Sequence, residues 1–95
     1  MVYIVERYLP GVSRPELEEA LRGLDRVTRE LRSEGTEVRY LGSTIFPGDE
    51  ACLCQFEGPS EAAVAEVNNR AGLTFDRIVF AVFVKPARAR GAQKG

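Results

Sequence analysis

Hydrophobic and polar positions alternate along the chain in a way that predicts strand, helix, strand, strand, helix, strand. Residues Val2 to Leu9 (VYIVERYL) are rich in β-branched and aromatic side chains and predict a strand that Pro10-Gly11 ends. Ser13-Arg14-Pro15-Glu16 then opens a helix. The Ser13 hydroxyl can accept from the Glu16 backbone N–H while the Glu16 side chain reaches back, and Pro15 in the first turn forfeits no helical hydrogen bond. Leu17, Leu21, Leu24, Val27 and Leu31 recur at intervals of four and three, which is one helix face. Glu18–Arg22 and Asp25–Arg29 are spaced to pair on its wet side. Gly35 is the natural stop.

Thr36 to Phe46 predicts a second strand and Glu50 to Glu57 a third. Between them, Pro47-Gly48 reads as a hairpin turn in which Gly48 takes a positive φ. Ser60 is placed to cap a second helix whose apolar face is Ala63, Val64, Val67 and Ala71, closed by Gly72. Asp76 to Lys85 predicts the last strand, with an unbroken apolar run from Ile78 to Val84. The reading is one α+β domain over residues 1–85 and a tail over 86–95. Its order is that of the ferredoxin-like split βαβ plan: βαββαβ, a four-stranded antiparallel sheet with two helices on one face.

That plan leaves the second sheet face bare. A strand with one wet face should alternate apolar and polar residues. The last strand instead sends Ile78, Phe80, Val82 and Val84 one way and Val79, Ala81 and Phe83 the other. The first strand likewise sets Tyr3 and Val5 against Val2 and Ile4. A bare apolar face is large for a monomer, and no further sequence is left to cover it. The expectation is a homodimer packed sheet to sheet, a dimeric α+β barrel.

Composition narrows the partners. The 95 residues are 44% hydrophobic and 28% charged, with net charge −1. The tail from Lys85 carries Lys85, Arg88, Arg90 and Lys94 and no acid, so the body before it is acidic. An acidic body argues against a nucleic-acid binder. No apolar run reaches the roughly 20 residues of a membrane span, and the start shows no signal-peptide pattern, so a cytoplasmic protein is expected. There is no histidine, which removes Ser-His-Asp and Cys-His catalysis and imidazole metal sites within the chain. Cys52 and Cys54 fall on one strand face, roughly 6–7 Å apart at Cα, and read as buried reduced thiols.

Polar groups within the strands are the remaining candidates for chemistry. These are Glu6, Arg7, Arg39, Ser43, Thr44, Gln55 and Glu57. Glu6, Arg7 and Glu57 are the candidate ligand-binding residues. Adjacent in sequence, Glu6 and Arg7 must face opposite sides of the sheet.

Several short segments together resemble a known family: Val5-Glu6-Arg7 before Pro10-Gly11, Cys54-Gln55-Phe56-Glu57 before Pro59-Ser60, Arg70-Ala71-Gly72-Leu73, and Asp76-Arg77-Ile78. Their order and spacing are similar to those of small bacterial ferredoxin-like proteins known as nickel-binding, formerly a domain of unknown function. The resemblance implies a ferredoxin-like subunit, a dimer and, in nickel-binding members, metal held partly by histidines. At the matching positions this chain has Glu6, Leu21 and Asn68, while Cys54 is retained. The metal candidates that follow are Glu6, Cys54 and Asn68, with nickel or another divalent ion as the possible cofactor. Leu21 offers no donor and Asn68 only an amide oxygen, whereas nickel prefers nitrogen and sulfur.

Three functions are open at this point. One is a small dimeric metal- or ligand-binding protein without catalysis. Another is a cofactor-free isomerase, cyclase or oxygenase of the dimeric α+β barrel kind, with Glu6 as base, Arg7 as anion clamp and Tyr3, Tyr8 or Tyr40 assisting. The third is a structural or regulatory dimer that uses the basic tail.

Overall fold

The computed structural model describes residues 1–87. The elements are β1 (Val2–Tyr8), α1 (Arg14–Ser33), β2 (Arg39–Phe46), β3 (Ala51–Glu57), α2 (Glu61–Arg70) and β4 (Arg77–Ala81). They form one antiparallel sheet in the order β2-β3-β1-β4, the ferredoxin-like arrangement expected. Arg88, Arg90 and Lys94 of the basic tail lie outside the described residues.

Both helices begin and end as their sequences dictate. Ser13 Oγ accepts from the Glu16 backbone N–H at 3.2 Å, and Glu16 Oε1 accepts from the Ser13 N–H at 3.0 Å, completing the capping box. Ser60 Oγ accepts from Ala63 N–H and caps α2. Each helix closes with the same pair of bonds around a left-handed glycine. At α1, Thr36 N–H donates to Leu31 carbonyl and Gly35 N–H to Arg32 carbonyl, with Gly35 at φ 101°. At α2, Leu73 N–H donates to Asn68 carbonyl and Gly72 N–H to Asn69 carbonyl, with Gly72 at φ 74°. A side chain at either glycine would strain the backbone.

The core lies between helices and sheet. Leu17, Leu21, Leu24, Val27 and Leu31 of α1 and Val64 and Val67 of α2 pack onto Tyr3, Val5, Val38, Cys52, Cys54 and Phe56. The buried sheet positions are every second residue of β1 and β3, as strand pleating requires.

Some local expectations are corrected. Glu18 pairs with Arg14 at 2.7 Å rather than with Arg22, which turns to Glu19. Glu18 lies four residues from both arginines, so spacing could not choose between them; Asp25–Arg29 forms as expected. The β2–β3 connection is a short 3-10 turn over Pro47–Asp49, and Glu50 rather than Gly48 takes the positive φ, 54°. Glu50 is held there because its carbonyl accepts from Leu9 N–H and its carboxylate from Gly11 N–H. The last strand stops at Ala81, well short of Lys85. It pairs with β1 from Glu6↔Arg77 to Val2↔Ala81, where β1 itself starts. Val82, Phe83 and Val84 run on unpaired and are 71%, 78% and 80% exposed.

Candidate functional site

The strand pleat sorts the candidate residues onto two faces. Glu6 lies on the open face with Val2, Ile4 and Tyr8, and pairs with Arg77 Nε at 3.0 Å on the neighbouring strand. Glu57 is also on that face, opposite Val2 on one side and Arg39 on the other. Arg7 and Cys54 face the helices, and Asn68 of α2 meets Arg7 from the helix side. The structure therefore brings Arg7, Cys54 and Asn68 to one side and leaves Glu6 and Glu57 on the other.

Arg7 is 2% exposed and, among the described residues, is the one buried charged side chain. Its Nη2 donates to Asn68 Oδ1 at 2.5 Å and its Nη1 to the Thr74 carbonyl at 2.9 Å. Both acceptors are neutral, and Nε is buried without a partner. Asn68 is fixed in turn, donating through Nδ2 to the Val64 carbonyl one turn earlier. A buried cation without an anion is costly, so the groups that face Arg7 matter.

Those groups are thiols. Arg7 stands directly across the β1–β3 ladder from Cys52, with Cys54 two residues along on the same face. The Cys52 and Cys54 sulfurs are 3.6 Å apart and unoxidised. The Ser43 hydroxyl on β2 donates to Cys54 Sγ at 2.9 Å and is itself in short contact with the Tyr40 hydroxyl. With Tyr40 donating to Ser43 and Cys52 to Cys54, a chain of hydrogen bonds terminates on the Cys54 sulfur. The Cys52 hydrogen bond, followed by the nearby Arg7 charge and the Ser43 hydroxyl, outweighs burial and holds the Cys54 thiol below the ordinary range. Cys52 is displaced upward, because its proton serves that hydrogen bond and because it is buried. Burial also raises the Tyr40 phenol.

A cleft of about 210 Å³ reaches this cluster from outside. It lies between the start of α1 and the β2–β3 turn. Leu9, Val12, Leu17 and Ile45 line its walls, and Cys52 lines it with them.

Sequence reasoning found Arg7, Cys54 and Asn68 but not their connection. It missed Cys52 as a partner in chemistry and Ser43 as a donor to sulfur. Strand parity could have supplied Cys52, which shares the parity of Cys54 and Phe56 as Arg7 shares that of Tyr3 and Val5; it could not supply Ser43, because β2 shifts register between Tyr40 and Gly42. Among the described residues, no three His, Cys, Asp or Glu side chains converge as a metal-holding group. No helix among them is long and apolar enough to cross a membrane.

A family model described as "Nickel responsive protein SCO4226-like" matches residues 3–80. The chain is also similar to the crystal structure of SCO4226 from Streptomyces coelicolor A3(2). The TM-score is 0.76 over 90% of this chain and 100% of that one, at 22% sequence identity, a likeness of fold. No curated protein matches.

Proposed function

Because this chain belongs to the SCO4226-like family of nickel responsive proteins, we propose that it is a small homodimeric binding protein without catalysis, whose ligand centre is the buried Arg7–Asn68–Cys54 cluster. The observation that carries this reading is the convergence of hydrogen bonds from Cys52 and Ser43 on Cys54 Sγ, beside an arginine with no carboxylate partner. A cluster of this kind departs from simple core packing and marks a place for a ligand.

A nitrogen cage for nickel does not fit these residues. The chain has no histidine. Glu6 is turned to the opposite sheet face and committed to Arg77. Leu21 is an apolar core residue, and Asn68 Oδ1 already accepts from Arg7. The soft donors that remain are the two thiols.

The homodimer is supported by the open face. Val2, Ile4, Leu53, Val79 and Ala81 form its centre across β1, β3 and β4, and the exposed Val82–Val84 segment extends from its edge. Solvating so much apolar surface is unfavourable, and a second copy offers the same surface in return. Calorimetric titration with nickel, cobalt, zinc and copper ions tests the reading, run beside sedimentation of the same sample. The expected result is a dimer that binds an ion through a site lost in Cys54→Ser. A monomer at micromolar concentration, or binding unchanged in Cys54→Ser, would overturn it.

A further inference from the structure

Two thiols on one strand face, a buried cation across the ladder and a cleft leading in from the surface define more than a sulfur-lined core. We propose that Cys52 and Cys54 form a two-thiolate site for a monovalent soft cation of the copper(I) class, and that the Arg7 guanidinium selects the ion's charge. The proposal rests on the reading that sulfur forms the ligand centre, and it names the ion.

The geometry supplies the bite. An ion held by two sulfurs alone prefers a near-linear arrangement, so metal–thiolate bonds of about 2.3 Å set the two sulfurs up to about 4.6 Å apart. Cys52 and Cys54 start at 3.6 Å, so each sulfur must swing outward by about half an ångström. The backbone fixes this spacing, because residues two apart on a pleated strand project side by side. Ions with low coordination number and a preference for thiolate are the ones a two-sulfur site can hold. Among the described residues no third acidic or imidazole donor joins the pair, which leaves a six-coordinate divalent ion short of ligands.

Charge then discriminates among soft ions. With both cysteines as thiolates the sulfurs carry two negative charges, and Arg7 contributes one positive. A monovalent ion brings the buried cluster to neutrality, whereas a divalent ion leaves it with an uncompensated positive charge, which burial disfavours. The unpartnered Arg7 Nε is a buried donor awaiting an acceptor, on a residue that stands directly across the ladder from Cys52. On binding, Cys52 and Cys54 each give up a thiol proton to solvent, and no electron is transferred. Access runs through the cleft that Cys52 lines.

The test uses the full chain, reduced and under anaerobic conditions. Copper(I) is delivered from bicinchoninate, with silver(I) as a redox-inert stand-in and zinc(II) and nickel(II) as competitors. Native mass spectrometry and thiolate-to-metal absorbance are the readouts. One copper(I) per chain is expected, retained against excess zinc. Cys52→Ser and Cys54→Ser should each weaken it by roughly 100-fold or more, and Arg7→Met should cut its preference over zinc by about tenfold. The competition on the unaltered chain does not depend on any variant folding. Zinc or nickel taken in preference by the same two sulfurs would overturn the charge selection while sparing the sulfur-centred function. Copper(I) not bound, or bound equally by the serine variants, would overturn the site itself.

Discussion

Arg7 Nη2 and Asn68 Oδ1 meet at 2.5 Å inside the core and tie the first strand to the second helix across 61 residues of sequence. The bond joins a buried charge to a neutral amide, so each partner depends on the other for solvation. Replacing Asn68 by Leu leaves the guanidinium with one carbonyl partner and should destabilise the fold by about 3 kcal/mol. Arg7→Met removes the charge along with its need for partners and should cost less. In the double variant the loss should fall below the sum of the two. Urea denaturation of the three variants measures this; equal and additive losses would show that the two side chains are not coupled.

The open sheet face gives a second prediction. Ile4 and Val79 are direct neighbours on β1 and β4 and face away from the helices. Ile4→Lys places a charge in the middle of the proposed dimer interface without touching the core, so it should yield a folded monomer. Sedimentation velocity reports the mass and far-UV circular dichroism the fold. A variant that stays dimeric would put the interface elsewhere.

Acid sensitivity has a definite source at the start of α1. The Ser13 backbone N–H, then its hydroxyl, stabilise the ionised Glu16 carboxylate and lower its pKa from 4.5. A carboxylate lowered on folding adds stability above its unfolded pKa and loses it as pH falls through the folded value. The window therefore begins near pH 4.5 and extends below it. Glu16→Gln keeps an acceptor for the Ser13 N–H but not the charge, so it should be modestly less stable than the parent at neutral pH and converge with it below the window, which flattens the acid slope. Thermal melts between neutral and acidic pH, compared for the two proteins, decide it.

Gly72 adopts φ 74° at the end of α2, with no neighbouring atom within reach of an added Cβ. Space is therefore not the constraint at this position; backbone conformation is. Gly72→Ala should cost about 1 kcal/mol. The closing bonds of α2 involve Asn68 and Asn69 carbonyls, so the same change should loosen Asn68 and speed hydrogen exchange at Leu73. Unchanged exchange there would show that the glycine does not control that turn.

The sequence by itself determined the order of the elements, both caps, both glycine stops and the apolar face of each helix, because these depend on residues within a few positions of one another. Period, capping chemistry and φ preference act locally and are carried by Ser13, Glu16, Gly35, Ser60 and Gly72. Pleating, also local, placed Glu6 and Arg7 on opposite sides of the sheet. Only the tertiary structure decided that Arg7 is buried without a carboxylate, that Asn68 reaches it from α2, and that Ser43 donates to Cys54. It also ended β4 at Ala81, opposite Val2, the first residue of β1. These contacts join residues that lie far apart in the chain, and their partners are set by strand register and helix docking, which no single segment encodes.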